Sequence, residues 1–197
     1  MRDRTVIFIQ GAGEGAYRED AKLAEDLGRQ LGAGYRVRFP AMPDEADADY
    51  DSWAKTILEE IAIAGDGAIL VGHPVGESVA IKLMTDRSPK HSVAGLFLIA
   101  APFWHDHEFW HWKEAQLPPD ASARLPDGMP LFLYHGREDK TVPFSHLEMY
   151  AATFPRAIVH RLAERDHELN GDLSEVARDI RRLGRPGSYT PARSHGG

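Results

Sequence analysis

The chain has no cysteine in its 197 residues. That absence excludes disulfide bonds, thiolate metal sites and a thiol nucleophile, leaving hydroxyl, carboxylate, amine or imidazole groups for any covalent chemistry. It also has no apolar run near the roughly 20 residues that a membrane-spanning helix needs, so membrane insertion is not expected. Positive charge is scarce: 23 Lys and Arg stand against 30 Asp and Glu, a formal net charge of -7. A nucleic-acid partner, which is bound through cationic contacts to phosphate, is therefore disfavoured. A small-molecule substrate or ligand is the expected partner. The first residues run directly into a strand-like stretch with no secretory pattern ahead of it, which makes the cytoplasm the expected address.

With 43% hydrophobic and 27% charged residues, the composition is that of one ordinary globular domain, expected over residues 1–185. Thr5-Val-Ile-Phe-Ile-Gln10 is a β-branched, aromatic run with too little alternation for a half-exposed strand, and it reads as buried on both faces of a parallel sheet. A helix is predicted from Tyr17 to Leu31 on the spacing of Leu23, Leu27 and Leu31, stopping in Gly32-Ala-Gly34. Tyr35-Arg-Val-Arg-Phe-Pro40 alternates as a strand near a sheet edge does. Asp51 or Ser52 is the predicted cap of a helix through Trp53, Ile57 and Ile61 that ends at Gly65. Apolar strands follow at 67–72, 93–101, 129–136 and 156–162, with helices predicted at 144–153 and 173–183. Residues 102–128 form a Trp-, His- and Pro-rich insertion, and 186–197 read as a disordered tail. Strands and helices thus alternate around about six buried strands, which predicts an α/β fold with a doubly wound, mostly parallel sheet. In such a sheet ligands bind beyond the carboxyl ends of the strands, where the loops carrying Gly11, Pro74, Asp139 and His167 fall.

The stretch from Gly67 to Met84 joins a buried strand to an amphipathic helix through Gly72-His-Pro-Val-Gly76. With Tyr134-His-Gly-Arg-Glu-Asp-Lys-Thr-Val-Pro143 and Arg165-Asp-His167, it resembles the α/β-hydrolase family, in particular its small esterase-like members without a large lid. The likeness runs from about Val6 to Leu183. It implies that Asp139 and His167 are the acid and base of a Ser-His-Asp triad, and that Pro74 stands where the nucleophilic serine of G-x-S-x-G belongs. It further implies an oxyanion hole from the N–H groups of Ala12 and Val75.

Proline has no nucleophilic atom, and its φ is fixed near about -65°, whereas the elbow serine sits in a strained turn. The acyl-enzyme route through residue 74 is closed. What stays open is general-base chemistry by an Asp139/His167 dyad, a non-catalytic module that binds a ligand or protein in the old cleft, or a nucleophile-inactivated variant of a serine hydrolase. Glu77 occupies a commonly small position and would oppose an oxyanion if it pointed inward. Ser78, about one helical turn on, is expected to face helix packing.

No cofactor is expected. Gly11-x-Gly13-x-x-Ala16 fits a dinucleotide fingerprint formally, but the second strand ends without the ribose-binding acid, and Glu14 would repel a pyrophosphate. His107 and His111 stand at a metal-compatible i, i+4 spacing beside His105 and Asp106, yet no third ligand in good geometry is evident. The segment is expected instead to cap the cleft, with Trp104 and Trp110 shaping an apolar substrate pocket.

Overall fold

Five apolar runs and one alternating run become six strands, all parallel, in the order β2-β1-β3-β4-β5-β6: β1 (Arg4–Ile9), β2 (Tyr35–Arg38), β3 (Ala68–Gly72), β4 (Val93–Ile99), β5 (Leu131–Gly136) and β6 (Ile158–Leu162). The computed structural model describes residues 3–87, 89–105 and 108–183. The predicted tail at 186–197, together with Asp106 and His107, lies outside them.

The absence of alternation in the central strands has a direct cause. Val6, Phe8, Ile69, Val71, Phe97 and Ile99 face one helical layer, while Ile7, Ile9, Leu70, Leu96 and Leu98 face the other. The first layer is α1 (Ala16–Leu31) and α6 (Ser174–Arg182), packing through Leu23, Leu27, Val176 and Ile180. The second contains α2 (Tyr50–Ala64) and α3 (Val75–Asp86), packing through Trp53, Ile57, Val79 and Leu83. Each such buried side chain contributes about 1.5–3 kcal/mol of apolar burial, so both layers are held by the sheet between them. β2 alternates because it is an edge strand, paired only with β1.

Helix ends follow the sequence with one shift. Gly32 and Gly65 terminate α1 and α2 at φ of 68° and 77°, a conformation that glycine adopts without steric cost. The cap of α2 is Asp49, whose carboxylate accepts the Ser52 N–H at 2.8 Å, not Asp51 or Ser52. The helix begins earlier because Tyr50 is itself buried. Trp53, fully buried, donates its ring N–H to the Pro43 carbonyl at 2.7 Å and so ties α2 to the loop after β2.

The 102–128 insertion carries a 3₁₀ turn (Lys113–Ala115) and α4 (Ala121–Arg124). Ala115 and Ala121 are buried, and Phe103, Trp112, Leu117 and Leu125 are partly buried hydrophobics packed against the core. α5 (Ser145–Thr153) follows β5. Among the described residues no helix is long and apolar enough to cross a membrane.

Candidate active site

The site forms where the winding of the sheet reverses. β1 leads into α1 on one face, whereas its neighbour β3 leads into α3 on the other, the arrangement at whose carboxyl edge sheets of this kind form their ligand crevice. The turn after β3 is held by the His73 N–H, which donates to the Ile9 carbonyl at 3.0 Å. Pro74 adopts φ -77° and ψ -32° and immediately precedes α3. It therefore has helical geometry, as the locked ring dictates, and none of the non-glycine residues with positive φ lies in the turn. Helix and strand approach too closely for side chains. A Cβ on Gly76 would strike the Ile9 side chain at 2.5 Å, and one on Gly11 would meet Pro74 Cδ at 2.6 Å.

Asp139 and His167, on the loops after β5 and β6, are brought into direct contact. Asp139 Oδ2 accepts from His167 Nδ1 at 2.8 Å, and its Oδ1 accepts from the Thr141 and Val142 N–H groups at 2.8 and 2.9 Å. His135 Nε2 adds a further contact to Oδ2 at 3.2 Å. Burial of this carboxyl, whose side chain is 0% exposed, would favour its neutral form. The hydrogen bonds from His135, His167 and the Val142 N–H outweigh that and hold it well below the usual carboxylate range. With Nδ1–H fixed on Asp139, His167 presents Nε2 with no hydrogen-bond partner among the described residues, on a side chain that is 19% exposed.

Four groups escaped the sequence reading. His73, inside the turn itself, is buried; its Nδ1 lies 2.9 Å from Asp20 Oδ1 and its Nε2 lies 3.0 Å from the His167 carbonyl. Asp20 falls on the apolar stripe of α1 with Leu23, Ala24, Leu27 and Leu31, all buried, and a carboxylate in that register was the available signal. His135 ends β5 and supports Asp139. Glu45 clasps the loop after β1: its carboxylate accepts from the Gly15 and Tyr17 N–H groups and from Gln10 Nε2, at 2.7–2.8 Å, and its carbonyl accepts from Gly13 N–H at 2.6 Å. The backbone donors of Tyr17 and Gly15 hold its pKa below the ordinary carboxylate value. Asp20 Oδ2 takes the Gly11 N–H at 2.7 Å. Gly11, Gly13 and Gly15 are therefore engaged, whereas the Ala12 N–H makes no hydrogen bond among the described residues. Val75, the first residue of α3, belongs to the helical turn whose N–H groups lack an intrahelical acceptor.

Glu77 lies beneath this crevice with 0% exposure, and neither carboxylate oxygen has a hydrogen-bond partner. Burial first, then the charges of Asp20 and Asp139, raise it well above its ordinary value; the nearby Ile99 N–H opposes this only in part. The carboxyl therefore holds its proton more tightly than an ordinary one. Ser78 is buried too, its Oγ 3.3 Å from the Pro102 carbonyl, facing packing as its helical position predicts.

In the aromatic segment, Trp104 packs on Trp110 and Trp112 with ring centroids 6.0 and 5.6 Å apart, and Trp110 sits edge-on to His146 at 4.7 Å. His146 Nδ1 accepts the Phe103 N–H at 2.8 Å, which joins the segment to α5. Among the described residues no group of three or more His, Asp or Glu side chains could hold a metal ion.

No curated protein matches the chain in sequence. Solved structures share its fold. They include a meta-cleavage product hydrolase from Pseudomonas fluorescens IP01 (18% identity, TM-score 0.69, covering 91% of this chain and 89% of that one). A CIB-like hydrolase from Thermoplasma acidophilum has 17% identity and a TM-score of 0.68, over 91% and 87%. The esterase domain of a Rhodothermus marinus protein has 13% identity and a TM-score of 0.66, over 91% and 86%. These likenesses establish the α/β-hydrolase architecture. Residues 19–169 match the serine hydrolase family itself, and the chain belongs to that family.

Proposed function

We propose that this serine hydrolase family member acts on a small ester, thioester or amide without a covalent intermediate, using His167 as general base. The observation that carries the reading is the Asp139–His167 hydrogen bond at 2.8 Å, with no hydrogen-bond partner for Nε2 among the described residues. Nε2 takes a proton from water as the oxygen attacks the substrate carbonyl, and the imidazolium returns it to the leaving group as the tetrahedral species collapses. The Ala12 and Val75 N–H groups receive the oxyanion. A positioned base contributes about 10²–10⁴ in rate and an oxyanion donor about 10²–10³, so turnover well below that of a serine enzyme is expected. Residues 102–128 serve as the cap, with Trp104 and Trp110 contributing apolar surface to the substrate.

A second reading is favoured by the same segment and by Pro74: a non-catalytic module that binds a ligand or partner. Phe109 is 75% exposed there. A short-chain nitrophenyl ester and a fluorophosphonate probe separate the two. Turnover lost in His167→Ala without covalent labelling supports the dyad. Covalent labelling refutes it, and absence of both turnover and labelling favours the binder. Pro74→Ser, alone or with Glu77→Gly, then shows whether the remaining machinery is intact.

A further inference from the structure

We propose that Asp20 and His73 form a second, non-reacting carboxylate–imidazolium pair, in which doubly protonated His73 clamps the backbone of His167 and so positions its imidazole. The side chains are nearly inaccessible, 6% and 4% exposed, so water does not compete for their hydrogen bonds. Each nitrogen of His73 faces an acceptor: Nδ1 the Asp20 carboxylate at 2.9 Å, Nε2 the His167 carbonyl at 3.0 Å. A neutral imidazole has one N–H and one lone pair. With Asp20 as the carboxylate, that lone pair would in either tautomer point at an oxygen lone pair at contact distance, and only the imidazolium satisfies both.

The surrounding charges agree. Burial opposes a charged His73, but the hydrogen bond to Asp20, its negative charge, the His167 carbonyl and Glu168 together raise its affinity for the proton. The groups that face it are Asp20 from α1, and His167 and Glu168 from the loop after β6. Glu77 on α3 is a buried acid whose proton affinity is raised, and Asp139 lies beyond the ring of His167, whose centroid is 4.7 Å from that of His73. Since Asp20 also holds the Gly11 N–H, the pair connects the exit loops of β1, β3 and β6. No reacting atom is touched, so these are positioning residues. Their consequence for turnover rests on the general-base reading, whereas the clamp itself does not.

The test uses the full chain labelled with ¹⁵N and long-range proton–nitrogen spectra of the histidine rings between pH 5 and 9, with His73→Asn assigning the signals. The expected result is a His73 ring protonated at both nitrogens well above the ordinary histidine value of about 6.5. A neutral tautomer at pH 6 overturns the proposal. In Asp20→Asn the amides of residues 165–169 should exchange at least about tenfold faster, the scale expected for a lost hydrogen bond to a charged group, while those of β1 and β3 are unchanged. In the unmutated chain the same loosening should appear only as His73 loses its proton. Exchange that is unaltered by Asp20→Asn, or that ignores the titration of His73, also refutes the clamp. Both readouts are independent of activity, so ester turnover can fail while the clamp stands, and the reverse.

Discussion

Glu77 offers the sharpest quantitative test of how this site is built. A carboxyl with no exposure and no hydrogen-bond partner among the described residues holds its proton more tightly in the folded state than in the unfolded chain, where it releases it near the ordinary value of about 4.5. Above that pH the folded state binds more protons than the unfolded one, so stability falls as pH rises. It is unaffected well below 4.5, where both states are protonated, and the loss continues until the raised folded value is reached. Each pH unit within the window costs about 1.4 kcal/mol. For a domain of this size each such pH unit corresponds to about 3–6 °C in melting temperature.

Glu77→Gln removes the titration while keeping the shape, so its advantage over the parent should be small at pH 5 and grow toward pH 8. Glu77→Leu should gain more, because it also removes the unpaired polar atoms. Urea unfolding across that pH range measures both. Stability curves of parent and Glu77→Gln that run parallel with pH would show that Glu77 releases its proton in the folded protein as it does in the unfolded chain, and the assignment of a buried acid with raised proton affinity would fall. The same result would return a negative charge to a crevice proposed to stabilise an oxyanion.

Two further perturbations probe the frame. Gly11→Ala places a Cβ 2.6 Å from Pro74 Cδ, an overpacking expected to cost about 1–3 kcal/mol. The cost should shrink when Pro74→Ser removes the ring, and a double-mutant cycle with no coupling contradicts the contact. Asp139→Asn breaks a buried pair and puts an amide where His135 and His167 donate; a loss of about 3 kcal/mol is expected in unfolding experiments at neutral pH. Because the Asp139 carboxyl is held below its ordinary value, its contribution is complete above the unfolded carboxyl value and is lost as pH falls through the folded one. The gap between parent and Asp139→Asn should therefore close in acid, and a gap independent of pH would argue against a charged Asp139.

What could be read from the chain, and what could not, divides along sequence distance. The strands and the two glycine stops follow from runs and turns that are local, whereas the Asp139–His167 meeting, across 28 positions, was expected from the family resemblance together with a parallel sheet that brings successive strand exits to one edge. The Asp20–His73 bond spans 53 positions and the Glu45 clasp on Gly15 spans 30, and no local pattern specifies such a partner. Asp20 stood on the buried stripe of α1 as an unexplained carboxylate, and the partner became identifiable only once β3 was placed beside β1. The cap of α2 was misplaced by one half-turn for a similar reason, since the burial of Tyr50 is a tertiary fact. Glu77 was ambiguous in sequence because a helix's first turn favours a carboxylate wherever it points; the fold turns it inward.

Proline at 74 is a different kind of departure from those hidden partners. At φ -77° it stands at the threshold of α3, where a helix tolerates a missing N–H and gains from a preset φ. On the proposed reading of residue 74 as the nucleophile position, proline exchanges a strained elbow for a relaxed helix entry and carries no hydroxyl. Pro74→Ser supplies a hydroxyl but not the strain that would aim it. The turn must also leave helical geometry, against a Gly11 backbone that now packs on the position of the ring. Glu77, whose backbone lies 2.6 Å from where a Gly72 Cβ would be, sits immediately below that movement. Recovery of esterase activity should accordingly be greater with Glu77→Gly than with Pro74→Ser alone, since the double change frees the first turn of α3 to follow the elbow and removes the buried acid at once.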